Sequence, residues 1–169
     1  MKKLALLLFV GGGVCVLAMG LFFLGGDDSQ ASASATLPSL SLPPNGSGHL
    51  TFSQNAAQDT GKIDPRLTAL LAEAPFDLHI GTLITGHNLH VHGTDRISNH
   101  IYGRAADVTT VNSEPVSSSS VAAHAFMQWL TTADPQPTEV GSPFPEFNSV
   151  PGRFSDSDHR DHIHCGWKS

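Results

Sequence analysis

The chain has 169 residues, a length that suits one domain of ordinary size plus an appendage and leaves too little for two full cores. Charged residues make up 14% of it and the formal net charge is -6, so the basic surface that nucleic acid requires is missing and nucleic acid is not an expected partner. Nine of the ten histidines lie beyond residue 78, which favours a metal or proton-transfer role in that half of the chain.

Lys2 and Lys3 precede an uncharged run from Leu4 to Leu24, and Gly25, Gly26, Asp27 and Asp28 follow it. As a helix such a run just spans a hydrocarbon core of roughly 30 Å. Lysines before it and acids after it place the N-terminus in the cytoplasm and everything else outside. Residues 1–24 are therefore expected to form one transmembrane helix that anchors the protein to the cell membrane. A cleaved signal peptide is the alternative, because Ala31-Ser32-Ala33 resembles a cleavage site. Either way the remainder is exported. Cys15, inside this run, and Cys165, near the C-terminus, are not expected to pair, and each reads as a small buried apolar side chain.

Residues 25–62 are rich in Ser, Ala, Pro, Gly and Asn and carry almost no apolar periodicity. Such a segment buries too little to offset the entropy of ordering, which predicts a flexible linker containing His49. The folded domain is expected over 63–169. Asp64 can cap a helix with Pro65 at its first position; Leu67, Leu70, Leu71 and Ala74 then follow helical spacing until Pro75. From Leu78 the period changes to two, with Leu78, Ile80, Thr82 and Ile84 on one face. Gly86-His87-Asn88 reads as a turn into a second strand, Leu89 to His92, which predicts an antiparallel hairpin. His79, His90 and His92 then face solvent, and His87 is a turn residue.

Ala105 to Val111 has strand character, with Asp107 on one face and Ala106 and Val108 on the other. Ser120 can cap a helix whose stripe is Ala122, Ala125, Phe126, Trp129, Leu130 and Ala133, with His124 off the stripe. A short strand is expected at Thr138 to Val140, within loops that run from Pro135 to Ser157 and wrap the site.

Two stretches carry the chemistry. The first is Ser98-Asn-His-Ile-Tyr-Gly-Arg-Ala-Ala-Asp107, which sets a histidine and an aspartate seven residues apart with Gly103 between them to turn the backbone. The second is Asp161-His162-Ile163-His164, in which an extended strand puts both imidazoles on one face and Ile163 and Cys165 on the other. Imidazole and carboxylate are donors that a borderline cation such as zinc accepts, and three protein ligands with a fourth position open to water is the catalytic arrangement. His100, Asp107 and His164 are accordingly read as one metal site.

These motifs resemble the LAS group of zinc peptidases, which takes in lysostaphin-type enzymes, D-Ala-D-Ala metallocarboxypeptidases and the hedgehog signalling domain. The run Gly93-Thr94-Asp95-Arg96 through Ala106-Asp107, with Glu139-Val140-Gly141-Ser142-Pro143 and Asp161-His162-Ile163-His164, is more similar still to the M15-like C-terminal domains of exported actinobacterial proteins. The similarity covers roughly Leu67 to Trp167. It implies an α+β fold, a small antiparallel sheet flanked by helices, with zinc on His100, Asp107 and His164.

The resemblance also implies site roles. The family carboxypeptidases place a glutamate three residues before the last ligand. Here that position is Asp161, with a shorter side chain, and Ile163 replaces the tryptophan that commonly precedes the last ligand. The general base is Asp161, or else His162 with Asp161 as a structural acid; His162 otherwise stabilises the oxyanion or shuttles protons. Arg96 and Arg104 flank the first ligand and are candidates to bind a substrate carboxylate, or are surface arginines paired with Asp95 and Asp158. Ser98 bonds the local turn or a ligand; His159 and Asp158 are bystanders. The expected function is extracytoplasmic, zinc-dependent hydrolysis of peptidoglycan stem peptides at a D-Ala position. The alternative is a cell-wall binding or accessory module that keeps its metal without catalysis.

Overall fold

The computed structural model describes residues 48–168. The expected membrane anchor and the first part of the expected linker lie outside the described residues. Among the described residues no helix is long and apolar enough to cross a membrane.

The helices form where capping and apolar spacing agree. Helix α2, Pro65–Glu73, starts at Asp64, whose carboxylate accepts from the Arg66 backbone N–H at 2.9 Å, and it buries Leu67, Leu70 and Leu71. Helix α3, Val121–Leu130, starts at Ser120, whose hydroxyl accepts from the Ala123 N–H at 3.1 Å. Its buried face is Ala123, Phe126, Met127 and Leu130. That face is turned from the expected stripe, because Trp129 stacks on Phe126 at the rim of the core, ring centroids 5.7 Å apart, rather than entering it. The third helix, α1, is the short Gln54–Ala57.

Seven strands make one mixed sheet among the described residues: β1 Leu50–Phe52, β2 Leu78–Thr82, β3 Ala105–Val111, β4 Glu114–Pro115, β5 Glu139–Gly141, β6 Arg153–Phe154 and β7 Ile163–Gly166. The order is β1-β2-β3-β7-β5-β6, and β4 pairs with the free end of β3. The central pairs are antiparallel, as expected. Both outer pairs, β1 with β2 and β5 with β6, are parallel, so the wholly antiparallel sheet of the sequence reading is corrected.

Two further expectations change. The segment 50–62 is not linker: β1 adds a strand beside β2, Ala56 is fully buried, and the Ser53 N–H donates to the Ile80 carbonyl at 2.9 Å. The folded part therefore begins before residue 63. The hairpin of 78–92 does not form either. β2 takes β3 as its antiparallel partner, and residues 83–98 run as a long loop holding one isolated bridge, His90 to Ile97. Pairing with the apolar β3 buries Leu78 and Ile80 fully, which the histidine-rich segment after Gly86 cannot match.

What the fold fixes for the site is the register of β3 against β7. Asp107 sits directly opposite His164, flanked by the pairs Ala106 with Cys165 and Val108 with Ile163. Side chains alternate across a pleat, so Ala106, Val108, Ile163 and Cys165 enter the core while Asp107 and His164 stand together on the other face.

Candidate metal centre

His100 reaches the same place from a different element. It lies in a single 3-10 turn, Asn99–Tyr102, begun by Ser98, whose hydroxyl accepts from the His100 N–H at 3.3 Å. Ser98 therefore bonds the local turn. Gly103 ends it at φ 66°, a left-handed conformation that reverses the chain into β3, and a Cβ there would lie 2.6 Å from the Lys62 carbonyl oxygen. The turn sets His100, fully buried, over Asp107 and His164.

Three donor atoms converge. His100 Nε2 is 3.1 Å from Asp107 Oδ1 and 3.0 Å from His164 Nδ1, and His164 Nδ1 is 3.2 Å from Asp107 Oδ1. The three residues that the sequence reading grouped are thus brought together. A hydrogen-bonded triangle satisfies this arrangement poorly. His100 Nδ1 faces the Leu83 carbonyl oxygen, which only accepts, so Nδ1 carries a proton, and in the neutral ring Nε2 offers a lone pair. Burial holds His164 below the ordinary histidine pKa, hence neutral. Its Nε2 is buried without a hydrogen-bond partner and is 4.0 Å from the carboxylate of Glu139, whose charge favours the proton on that nitrogen. Asp107 adds a carboxylate, which only accepts. The centre is thus lined by lone pairs and one negative charge, which is the chemistry of a cation site. Ligands about 2.0–2.2 Å from a tetrahedral ion lie roughly 3.3–3.5 Å apart, close to the separations here.

A second triad overlaps the first. His87, from the loop after β2, stacks on His100 with ring centroids 3.9 Å apart, and potential ligand atoms of His87, His100 and Asp107 lie within 4.8 Å of one another. Burial, then the nearby His100, hold His87 below the ordinary histidine pKa, leaving it neutral and able to ligate. The triad with His164 is the tighter; His87 is the natural candidate for an additional ligand. Reading Gly86-His87-Asn88 as a turn concealed this, since only the course of the long loop places the ring.

His87, Asp107 and His164 line a cleft of about 580 Å³, whereas His100 is fully buried and does not line it. His162 lines it, with Nε2 3.8 Å from Asp107 Oδ1 and Nδ1 2.9 Å from Asp161. Asp161 itself is 89% exposed and does not line the cleft. Strand β7 begins only at Ile163, so Asp161 precedes the alternation and its carboxylate turns to the back of His162. That hydrogen bond lowers the Asp161 pKa. Arg96 lines the cleft and pairs with Glu139 at 2.9 and 3.4 Å. Arg104 does not line it; its guanidinium lies over the Tyr102 ring, 5.1 Å from the centroid. Neither arginine has the expected aspartate as its partner.

Glu139 and His159 are among the cleft residues that were given no role from the sequence, as is Asp158, the other expected bystander. Glu139 is buried between Arg96, Lys168 and His164; burial raises its pKa, and Arg96 more than reverses that. His159, expected to be a bystander, lines the cleft with Nδ1 2.6 Å from Asp156, its ring 5.1 Å from that of His162. A Cβ at position 141 would lie 2.5 Å from the His159 ring, so Gly141 makes room for it. No family model, curated protein or solved structure matches the chain, and the chemistry of the site rests on this geometry.

Proposed function

We propose that this protein is an extracytoplasmic zinc-dependent peptidase acting on peptidoglycan stem peptides at a D-Ala position, with His100, Asp107 and His164 as the zinc ligands. The observation that carries the reading is the convergence of three lone-pair donors within 3.0–3.2 Å, two of them lining a peptide-sized cleft, with one further imidazole beside them. The substrate class and the location rest on the motif resemblance and on the uncharged run Leu4 to Leu24, which supplies a membrane anchor.

Zinc held by these residues would polarise a carbonyl and acidify a water. His162 takes a proton at Nε2 and returns it to the leaving amine, while Asp161 accepts from Nδ1–H and keeps the ring in that tautomer. This makes His162 the general base and Asp161 its orienting partner, the second of the two assignments the sequence left open. Arg96, 45% exposed, offers its free edge to a substrate carboxylate, and Glu139 keeps the guanidinium in place.

One observation favours the second reading, a metal-bearing wall-binding module: the acidic position that serves as base in the family carboxypeptidases is outside the cleft. Incubating the purified protein with zinc and defined muropeptides, then identifying products by mass spectrometry, separates the two. The peptidase reading expects loss of a D-Ala or of a cross-link, and expects His162→Gln to cut turnover about 10²- to 10⁴-fold with metal content unchanged. Metal-loaded protein that releases nothing from any muropeptide refutes it.

A further inference from the structure

We propose that Asp59 is a positioning residue for the metal centre, acting through one peptide group to decide which nitrogen of His100 faces Asp107 and His164. The proposal rests on the metal-site reading above and adds a part of the chain that sequence composition assigns to linker.

Asp59 is 0% exposed and does not line the cleft. Its Oδ2 accepts from the backbone N–H groups of Thr85 at 2.6 Å and Ile84 at 3.2 Å, and its Oδ1 accepts from the Thr85 hydroxyl at 3.0 Å and Lys62 Nζ at 3.1 Å. Those two N–H groups lie just past the end of β2 at Thr82, where the ladder no longer supplies acceptors, and the buried Asp59 carboxylate takes both. The carboxylate therefore closes a corner of the backbone.

The corner matters because of which peptide it holds. The Ile84 N–H and the Leu83 C=O belong to the same planar trans unit, so they point in opposite directions. Fixing the N–H on Asp59 aims the carbonyl away from Asp59, and there it meets His100 Nδ1. The Leu83 side chain, fully buried, keeps the unit from sliding. With Nδ1 committed as a donor, Nε2 must present its lone pair to the cluster, the tautomer that a metal needs. A negative charge on the N–H side also polarises the peptide and strengthens its carbonyl as an acceptor. The same corner leads through Gly86, where a Cβ would lie 3.3 Å from Asn55 Nδ2 on α1, to His87. The segment from β1 through Asp59 thus braces the loop that orients one ligand and delivers a second candidate.

Asp59→Asn tests this, since an amide of the same shape cannot accept from all of these donors. Zinc affinity is measured by competition with a chromophoric chelator, and the site is viewed through the visible absorption of cobalt. Asp59→Asn is expected to weaken zinc binding about 10- to 100-fold and to change the cobalt spectrum. Phe126→Leu, a core substitution on α3, lowers the melting temperature without touching the site and is expected to keep wild-type affinity and spectrum. A second measurement needs no variant: nitrogen NMR of metal-free wild-type protein is expected to show His100 protonated on Nδ1. Wild-type affinity in Asp59→Asn, or His100 protonated on Nε2 in the metal-free protein, overturns the proposal and leaves the metal site standing. Wild-type protein that binds no zinc overturns the metal site itself.

Discussion

Replacing Asp107 with asparagine changes one atom of the cluster and little of its shape. Asp107 is the only anion among the three close donors, and its Oδ1 lies 3.1 and 3.2 Å from the ring nitrogens of the two imidazoles. Metal binding to the folded state adds RT ln(1 + [L]/Kd), about 2.7 kcal/mol at zinc one hundred times above Kd. For a domain near this size each kcal/mol raises the melting temperature by about 3–4 °C, so saturating zinc should lift metal-free wild type by about 10 °C. If Asp107→Asn weakens zinc about 100-fold, the same concentration sits near Kd and the gain falls to about 0.4 kcal/mol, or about 1–2 °C. Without metal the variant should melt within a few degrees of wild type, because burying an amide costs less than burying a charge. Differential scanning calorimetry on chelator-treated protein, with and without zinc, reads all four numbers. A full zinc-induced shift in Asp107→Asn refutes the assignment of that carboxylate as a ligand.

Two further outcomes are expected. The hydrogen bonds from Arg66 hold the Asp64 carboxyl at about 2, below its unfolded value, so the stability it contributes is complete above about pH 4 and is lost as the pH falls toward 2. Asp64→Ala should therefore cost about 1 kcal/mol at pH 6, much of it the helix cap, and visibly less at pH 2.5 in urea unfolding. The two arginines should separate: Arg96→Ala leaves Glu139 buried with Lys168 as its remaining Lys or Arg partner among the described residues and should raise KM for a muropeptide, whereas Arg104→Ala, outside the cleft, should leave both KM and kcat within about twofold. A larger kinetic effect from Arg104 than from Arg96 in the muropeptide assay would count against the placement of the substrate in this cleft.

The sequence by itself determined the elements whose signals are local. Asp64-Pro65 and Ser120 set two helix starts because a short side chain with an acceptor can satisfy the first free N–H groups wherever the helix goes. The alternation through Ala105 to Val111 and Ile163 to Cys165 separated the core residues from Asp107 and His164, since a pleat sends neighbours to opposite faces, and the donor chemistry of the two motifs grouped His100, Asp107 and His164 before any register was known. Only the tertiary structure decided what lies against each face. A three-residue strand and a buried Asp59 in a polar, Gly-rich stretch carry no periodic signal, because their order comes from β2 and the loop behind it. β2 chose β3 over the nearby segment 89–92 because distant apolar burial outweighs a short loop closure. For the same reason His87, Glu139 and His159 came to line the cleft, and Asp161 was left outside it: the side of an element is written in its own residues, whereas the partner on that side is written in residues far along the chain.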